Sequence, residues 1–216
     1  MNIIFATTNS NKTRRVQNLL PSTQMLSLSD FEAVEDPPEV LSSGISIAAE
    51  KSLYYLDKLK LDTNHCVLSQ DDTIFFKNVE DQDQPGTSIK APVVEKYGHF
   101  SDENAVEYYA ALANKYGGSI DFEFRYGHCV AKNSLNNEGR KYINLLSSSS
   151  VLKGRLVPET KNLNSCPGYF LAAMILVEVA GEEKYYSELD EKELVIVDAD
   201  LKYSIEWALG QVMKDV

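Results

Sequence analysis

No stretch of this chain approaches the roughly 20 consecutive apolar residues that cross a bilayer, and its first residues lack the basic-then-apolar order of a secretory leader. The sequence therefore leads us to expect a cytoplasmic protein with no membrane partner. Cysteine is scarce. Cys66, Cys129 and Cys166 form an odd set without a CxxC spacing, which suits a reducing compartment better than a disulfide framework. His65, His99 and His128 lie far apart, with no HxxxH and no His/Cys pairing, so a zinc site is not expected. Basic charge is also in deficit: 21 Lys and Arg stand against 32 Asp and Glu, a net charge of −11. That balance argues against nucleic acid as a partner. It leaves room for a small polyanion, because a few lysines and a divalent ion reverse the sign locally within one cleft.

What is present suits one soluble domain over residues 1–216, with 44% hydrophobic and 25% charged residues. "NIIFAT" reads as a buried strand and residues 11–20 as a helix stopped by Pro21, with a second short strand through Met25 to Leu28. Pro37 and Pro38 make "DFEAVEDPPEV" a loop. "GISIAAEKSLYYLDKLKL" carries apolar residues at helical spacing, and "DENAVEYYAALANKYG" reads as another helix, capped by Ser101 or Asp102 and ended at Gly117. "HCVLSQDDTIFF" reads as strand, acidic turn, strand. "IDFEFRYGHCVAK" and "KYINLLSSSSVLKGRLV" alternate as strands joined through "NSLNNEG", with Ser147 to Ser150 at a strand edge or turn. "ADLKYSIEWALGQVMKDV" closes the chain as a helix. The expected fold is α/β, a mixed sheet flanked by helices.

Candidate chemistry lies at four stations. "TTNSNK" ends the first strand. Ser10 or Asn11 there would cap the following helix; alternatively the amides after Thr7, Thr8 and Asn9, together with Lys12, face an anion such as a phosphate. "PPEV" offers Glu39, and "QDDT" offers Asp71 and Asp72, carboxylates suited to a hard oxygen-liganded ion. "PGTSIK" sets Ser88 and Lys90 just after a turn. Taken singly, these read as solvated charges. Cys129, Tyr108, Tyr109 and Trp207 read as packing residues, and His128 as exposed on a strand edge.

In this order, the stations resemble the inosine triphosphate pyrophosphatase family, which cleaves non-standard purine nucleoside triphosphates to the monophosphate and pyrophosphate. Its opening T-x-N-x-x-K is matched by Thr7, Asn9 and Lys12, and its metal-binding glutamate by Glu39. Asp71, Asp72 and Thr73 match its acidic strand end, and Pro85, Gly86, Ser88 and Lys90 its Pro-Gly segment. "KGRLVP", with Gly154, and "YYSEL", at Tyr186, Glu188 and Leu189, resemble later segments. The resemblance implies two lobes around a central cleft and a homodimer. It also implies magnesium or manganese on Glu39, Asp72 and Asp71, with Asp72 handling the attacking water. Lys12 and Lys90 would neutralise phosphate, and Gly168 and Tyr169 would meet the base.

Several positions depart from the family. Arg15 stands where the first helix carries an acid, and the long helix reads "AAEKS". The Gly-aromatic-Asp-Pro segment becomes Gly168, Tyr169, Phe170, Leu171, and the terminal Ser-His-Arg becomes Ser204, Ile205, Glu206. A lost arginine donor removes a charge-assisted bond worth roughly 1.5–3 kcal/mol. Base preference is therefore expected to be weakened or moved. The rival expectations are a non-catalytic nucleotide- or protein-binding member of the same fold and a Maf-type nucleotide pyrophosphatase, the latter echoed faintly by "KTRR" and "DDT".

Overall fold

The computed structural model describes residues 2–31, 35–37, 41–165 and 169–214. It divides the chain into two compact units: residues 1–72, 126–150 and 200–216 in one, and residues 73–125 and 151–199 in the other. Strand β1 (Asn2–Phe5) leads into helix α1 (Ser10–Leu19), then β2 (Met25–Ser27), α2 (Gly44–Lys58) and β3 (His65–Phe76). Next come α3 (Ala91–Tyr97), α4 (Asp102–Lys115), β4 (Ile120–Leu135) and β5 (Lys141–Leu156). The chain ends with β6 (Ile175–Val179), β7 (Glu182–Tyr185), α5 (Glu191–Val197) and α6 (Ala199–Lys214). The seven strands form one mixed sheet in the order β2-β1-β3-β4-β5-β6-β7.

In the first unit β1 is parallel to both β2 and β3, with Ile3 opposite Met25 and Cys66. Strands so paired need crossover helices, and a right-handed hand for both crossovers puts α1 and α2 on opposite faces of the sheet. Side chains bear this out. Lys12 and Arg15 of α1 reach Asp72 and Tyr126, even-numbered positions of their strands. Lys51 of α2 reaches the odd-numbered Asp71. The α2 face closes on Ile4, Ala6, Tyr55, Leu56, Val67 and Ala131.

Two glycines let α2 sit this close. A Cβ on Gly44 would lie 2.6 Å from the Asp71 carbonyl oxygen, and one on Gly127 of β4 would lie 2.3 Å from the Ile45 nitrogen. The start of α2 is thus pressed directly onto β3 and β4.

Three expectations need correction. β3 runs unbroken through "QDDT", with no acidic turn, because each acid finds a lysine instead of solvent. Ser147 to Ser150 lie within β5 and not in a turn, in the stretch before its pairing with β6 at Arg155 and Leu156. His128 is fully buried on β4, a strand with neighbours on both sides, and is not on an edge. Cys129 and Tyr109 are core residues, as expected, whereas Trp207 is 41% exposed.

The second unit has its own core. The Tyr109 ring stacks on Phe170 with centroids 5.4 Å apart and meets Phe76 edge-on. A Cβ on Gly154 would lie 2.2 Å from the Leu176 carbonyl oxygen and 3.0 Å from the Phe122 ring, so a side chain there has no room.

Candidate functional site

The order β2-β1-β3, with helices leaving to opposite faces, creates a topological switch point between β1 and β3. In open α/β sheets, ligands bind beyond the carboxyl ends of the strands at such a point. The turn Thr7–Asn9 emerges there from β1. Asn9, not Ser10 or Asn11, caps α1: its side chain accepts from the Asn11 and Lys12 amides at 2.9 and 3.3 Å. Thr7 Oγ1 accepts from the Asn9 amide at 3.1 Å and steadies the turn. Thr8 donates to Asp36 at 3.3 Å, and Asp36 also accepts from the hydroxyl of Tyr55, a core residue of α2. Burial, then the Asp36 carboxylate, push the Tyr55 phenol above its usual range.

Lys12 lies in the first turn of α1. Its Nζ lies 3.0 Å from Asp72 Oδ2 and 3.4 Å from the Gln70 carbonyl, so one of its three donors remains uncommitted among the described residues. Gln70 Nε2 donates to the other Asp72 oxygen at 2.9 Å. Asp72 is thereby held from both sides while its side chain stays 17% exposed.

Asp71 faces the other way, as consecutive strand residues must. Lys51 meets it at 2.6 Å with both side chains nearly buried, and Asp71 Oδ1 accepts the Asp72 amide at 2.8 Å. The two acids therefore do not present their carboxylates side by side, as a shared metal site on Asp71 and Asp72 would require. Among the described residues no three His, Cys, Asp or Glu side chains cluster to hold a metal. Glu39 lies outside the described residues; of the expected ligands that are described, Asp72 is the one whose carboxylate suits a hard divalent ion, its side chain staying 17% exposed.

Beside Asp72 on the α1 face runs a polar row. Arg15 donates to the Tyr126 hydroxyl at 3.0 Å and lies 4.5 Å above its ring. His128 follows two residues later, facing Ser204 of α6 at 3.4 Å. Burial holds the imidazole down to about 4; Asp72 opposes that, and Arg15 and Lys12 reinforce it.

The remaining expected residues belong to the second unit. Ser88 closes a turn on the Pro85 carbonyl at 3.1 Å, with Gly86 at φ 57° supplying the left-handed step. Lys90 is exposed just ahead of α3, with its Nζ 4.9 Å over the Phe100 ring. Tyr109 donates to the Ile89 carbonyl at 2.8 Å, anchoring the residue before it. Tyr169 meets Tyr186 edge-on at 6.3 Å, and Tyr186 donates to the buried Asp198 at 3.1 Å. Gly168 lies outside the described residues. Phe170 and Leu171 are core residues here, which accounts for the loss of Asp and Pro at those places.

Sequence reasoning missed Lys51, Gln70 and the burial of His128. Lys51 had a signal: it sits three and four residues from Ala48 and Tyr55, on the apolar side of α2. A charge on that side needs a partner.

Fold and site together define an α/β protein with a lysine–aspartate pair beside a capped turn at the sheet's switch point. A family profile, that of the Ham1 family, matches residues 3–194. The chain belongs to the Ham1 family, which agrees with the inosine triphosphate pyrophosphatase-like membership expected from its motifs. Among solved structures it is similar to a HAM1 protein from Coxiella burnetii, with TM-score 0.70 and 17% identity over 98% of this chain and 99% of that one. The Ham1 protein of Staphylococcus aureus gives TM-score 0.63 at 15% identity, with both chains fully covered. A nucleoside-triphosphatase / dITP/XTP pyrophosphatase from Mycobacterium abscessus gives 0.57 at 17%, covering 95% of this chain and 97% of that one. No curated protein matches the sequence significantly.

Proposed function

We propose that the protein is a nucleoside triphosphate pyrophosphohydrolase, converting a non-standard purine triphosphate and water to the monophosphate and pyrophosphate. The observation that carries this is the Lys12–Asp72 pair, set at the switch point beside the Asn9-capped turn. Family membership and the printed activity of the Mycobacterium abscessus neighbour support it. Asp72 orients or deprotonates the attacking water, and the amides after Thr7, Thr8 and Asn9 cradle phosphate. Lys12 trades part of its contact with Asp72 for a phosphate oxygen as charge develops on the leaving pyrophosphate. Ser88 and Lys90 are assigned to the distal phosphates, and Tyr169, with Gly168, to the base.

Magnesium or manganese held by Asp72 and Glu39 would neutralise phosphate charge when bound. With Phe170 and Leu171 committed to the core, base preference rests on fewer polar groups than the family motif provides. We also infer a cytoplasmic homodimer, for which exposed Ile143 and Leu145 on β5 offer apolar surface. The Maf-type alternative has no support once the chain is in the Ham1 family.

The test is pyrophosphate release from a panel of triphosphates, including those of inosine, deoxyinosine, xanthosine, adenosine and uridine, with magnesium. EDTA should abolish release. Asp72→Asn should lower turnover at least a hundredfold, the usual scale for a lost acid–base group, and Lys12→Ala should mainly raise KM. Wild-type protein that binds triphosphates but releases no pyrophosphate would favour the non-catalytic rival. Variants as active as wild type would remove Asp72 and Lys12 from the chemistry.

A further inference from the structure

His128 is a fully buried titratable group beside the site, and its protonation pattern can be deduced from its neighbours. Ser148 Oγ donates to the Ser204 carbonyl at 3.0 Å, and Ser204 Oγ donates to Ser148 Oγ at 2.9 Å. Each hydroxyl has one proton, so that of Ser204 is already used. At the 3.4 Å contact between Ser204 Oγ and His128 Nδ1, the ring nitrogen must therefore be the donor. The imidazole is neutral near pH 7, being held down to about 4, so its Nε2 carries a bare lone pair.

That Nε2 is buried and has no hydrogen-bond partner among the described residues. A second orphaned acceptor lies on the neighbouring strand: Gln70 Oε1, from a side chain 3% exposed. The two side chains share a sheet face. Gln70 stands two residues before Asp72, and His128 two residues after Tyr126. Asp72 and Tyr126 are both reached from α1, by Lys12 and Arg15. Ser150, two residues past Ser148 on β5, adds a buried hydroxyl that also has no partner among the described residues. Leaving such groups unsatisfied is costly, and two buried acceptors on one face of adjacent strands call for a molecule with two donors.

We propose that an internal water donates to both His128 Nε2 and Gln70 Oε1, which makes His128 a positioning residue for Asp72. A water with two or three polar partners is the ordinary occupant of such a place. Its consequence is directional. With Oε1 held by the water, the Gln70 amide can present only Nε2 to Asp72, as it does at 2.9 Å. Turned over, it would set a carbonyl oxygen against the carboxylate. The serine pair thus fixes the imidazole, the imidazole fixes the water, and the water fixes the amide that holds one oxygen of Asp72. The other oxygen is left for Lys12 and the reacting water.

The effect on turnover rests on the hydrolase reading of Asp72, whereas the bridging water does not, and the experiment separates them. In the first arm, the full chain labelled with 15N-histidine is studied by NMR at neutral pH. His128 should be protonated at Nδ1, with an Nε2 resonance displaced as for an accepted hydrogen bond, and Gln70→Met should reverse that displacement. A ring protonated at Nε2, or an Nε2 signal indifferent to Gln70→Met, overturns the bridge. In the second arm, kcat and KM are measured for His128→Phe, Gln70→Met and the double variant, all checked for wild-type folding by circular dichroism. Each single change should lower kcat roughly tenfold, as loss of an outer-shell partner does, with little change in KM. The double variant should be no slower than Gln70→Met alone. His128→Gln, which returns an acceptor near the position of Nε2, should recover much of the loss. Multiplying losses, or no recovery in His128→Gln, would overturn the positioning role. If the wild-type chain hydrolyses no triphosphate, the hydrolase reading falls and the first arm alone decides the water.

Discussion

Mild acid should destabilise this protein through one ring. Folded, His128 takes up its proton only at about 4, against 6.5 for the unperturbed side chain, and burial is the main cause. Between those values the unfolded chain binds the extra proton and the folded chain does not. Stability contributed by the neutral ring is therefore complete above about pH 6.5 and is lost as pH falls toward 4. Each tenfold change in proton affinity is worth about 1.4 kcal/mol, so the whole loss amounts to about 3 kcal/mol. The assay is urea unfolding, followed by circular dichroism at a series of pH values, for wild type and His128→Phe. Surface carboxylates titrate in both, so the difference isolates the ring. Wild type should lose about 3 kcal/mol more than the variant across the window. Parallel curves would refute the reasoning, since they would mean that the folded chain protonates His128 as readily as the unfolded one.

Other outcomes follow from the packing around the site. Lys51→Ala strands the Asp71 carboxylate, whose side chain is only 10% exposed, and should cost about 3 kcal/mol in urea unfolding. Asp71→Asn in that background should recover much of it. Gly127→Ala drives a Cβ to 2.3 Å from the Ile45 nitrogen, so a loss of about 2 kcal/mol is expected; an unchanged melting curve would mean that α2 does not press on β4. Cys66 and Cys129 are free and buried, and burial raises both thiols above their ordinary values. A reducing agent should leave the melting temperature unchanged, and a drop of many degrees would reveal a disulfide.

Much of the architecture was legible because apolar spacing is local. The 3.6-residue rhythm of α2 and α4 and the alternation of β4 and β5 are set by which side chains must be buried. The continuity of β3 was not legible. Two adjacent aspartates signal a turn unless cations wait for them, and those cations come from helices 20 and 60 residues away in sequence. Lys12 and Asp72 were visible as candidates, but that Asp71 belongs to a separate pair follows only from the crossover geometry. His128 was misplaced for a similar reason: a lone histidine between Gly127 and Cys129 says nothing about Ser204, which faces its Nδ1 from α6. The short α3 and the segment from residue 158 onward lack periodicity long enough to read.

The opposite orientations of Asp71 and Asp72 bear on how this protein tolerates insertions and deletions. β3 is buried on both faces from Cys66 to Leu68, so apolarity alone would accept the strand one residue out of step. The two lysines would not. A slip of one position carries Asp72 toward Lys51 and takes the acid away from Lys12, because alternate residues exchange faces together. Adding or removing one residue anywhere in that apolar stretch is therefore equivalent to mutating the site, although no residue of the site has changed. Over evolutionary time such a strand is free to drift in which hydrophobe it carries, but its length is held constant.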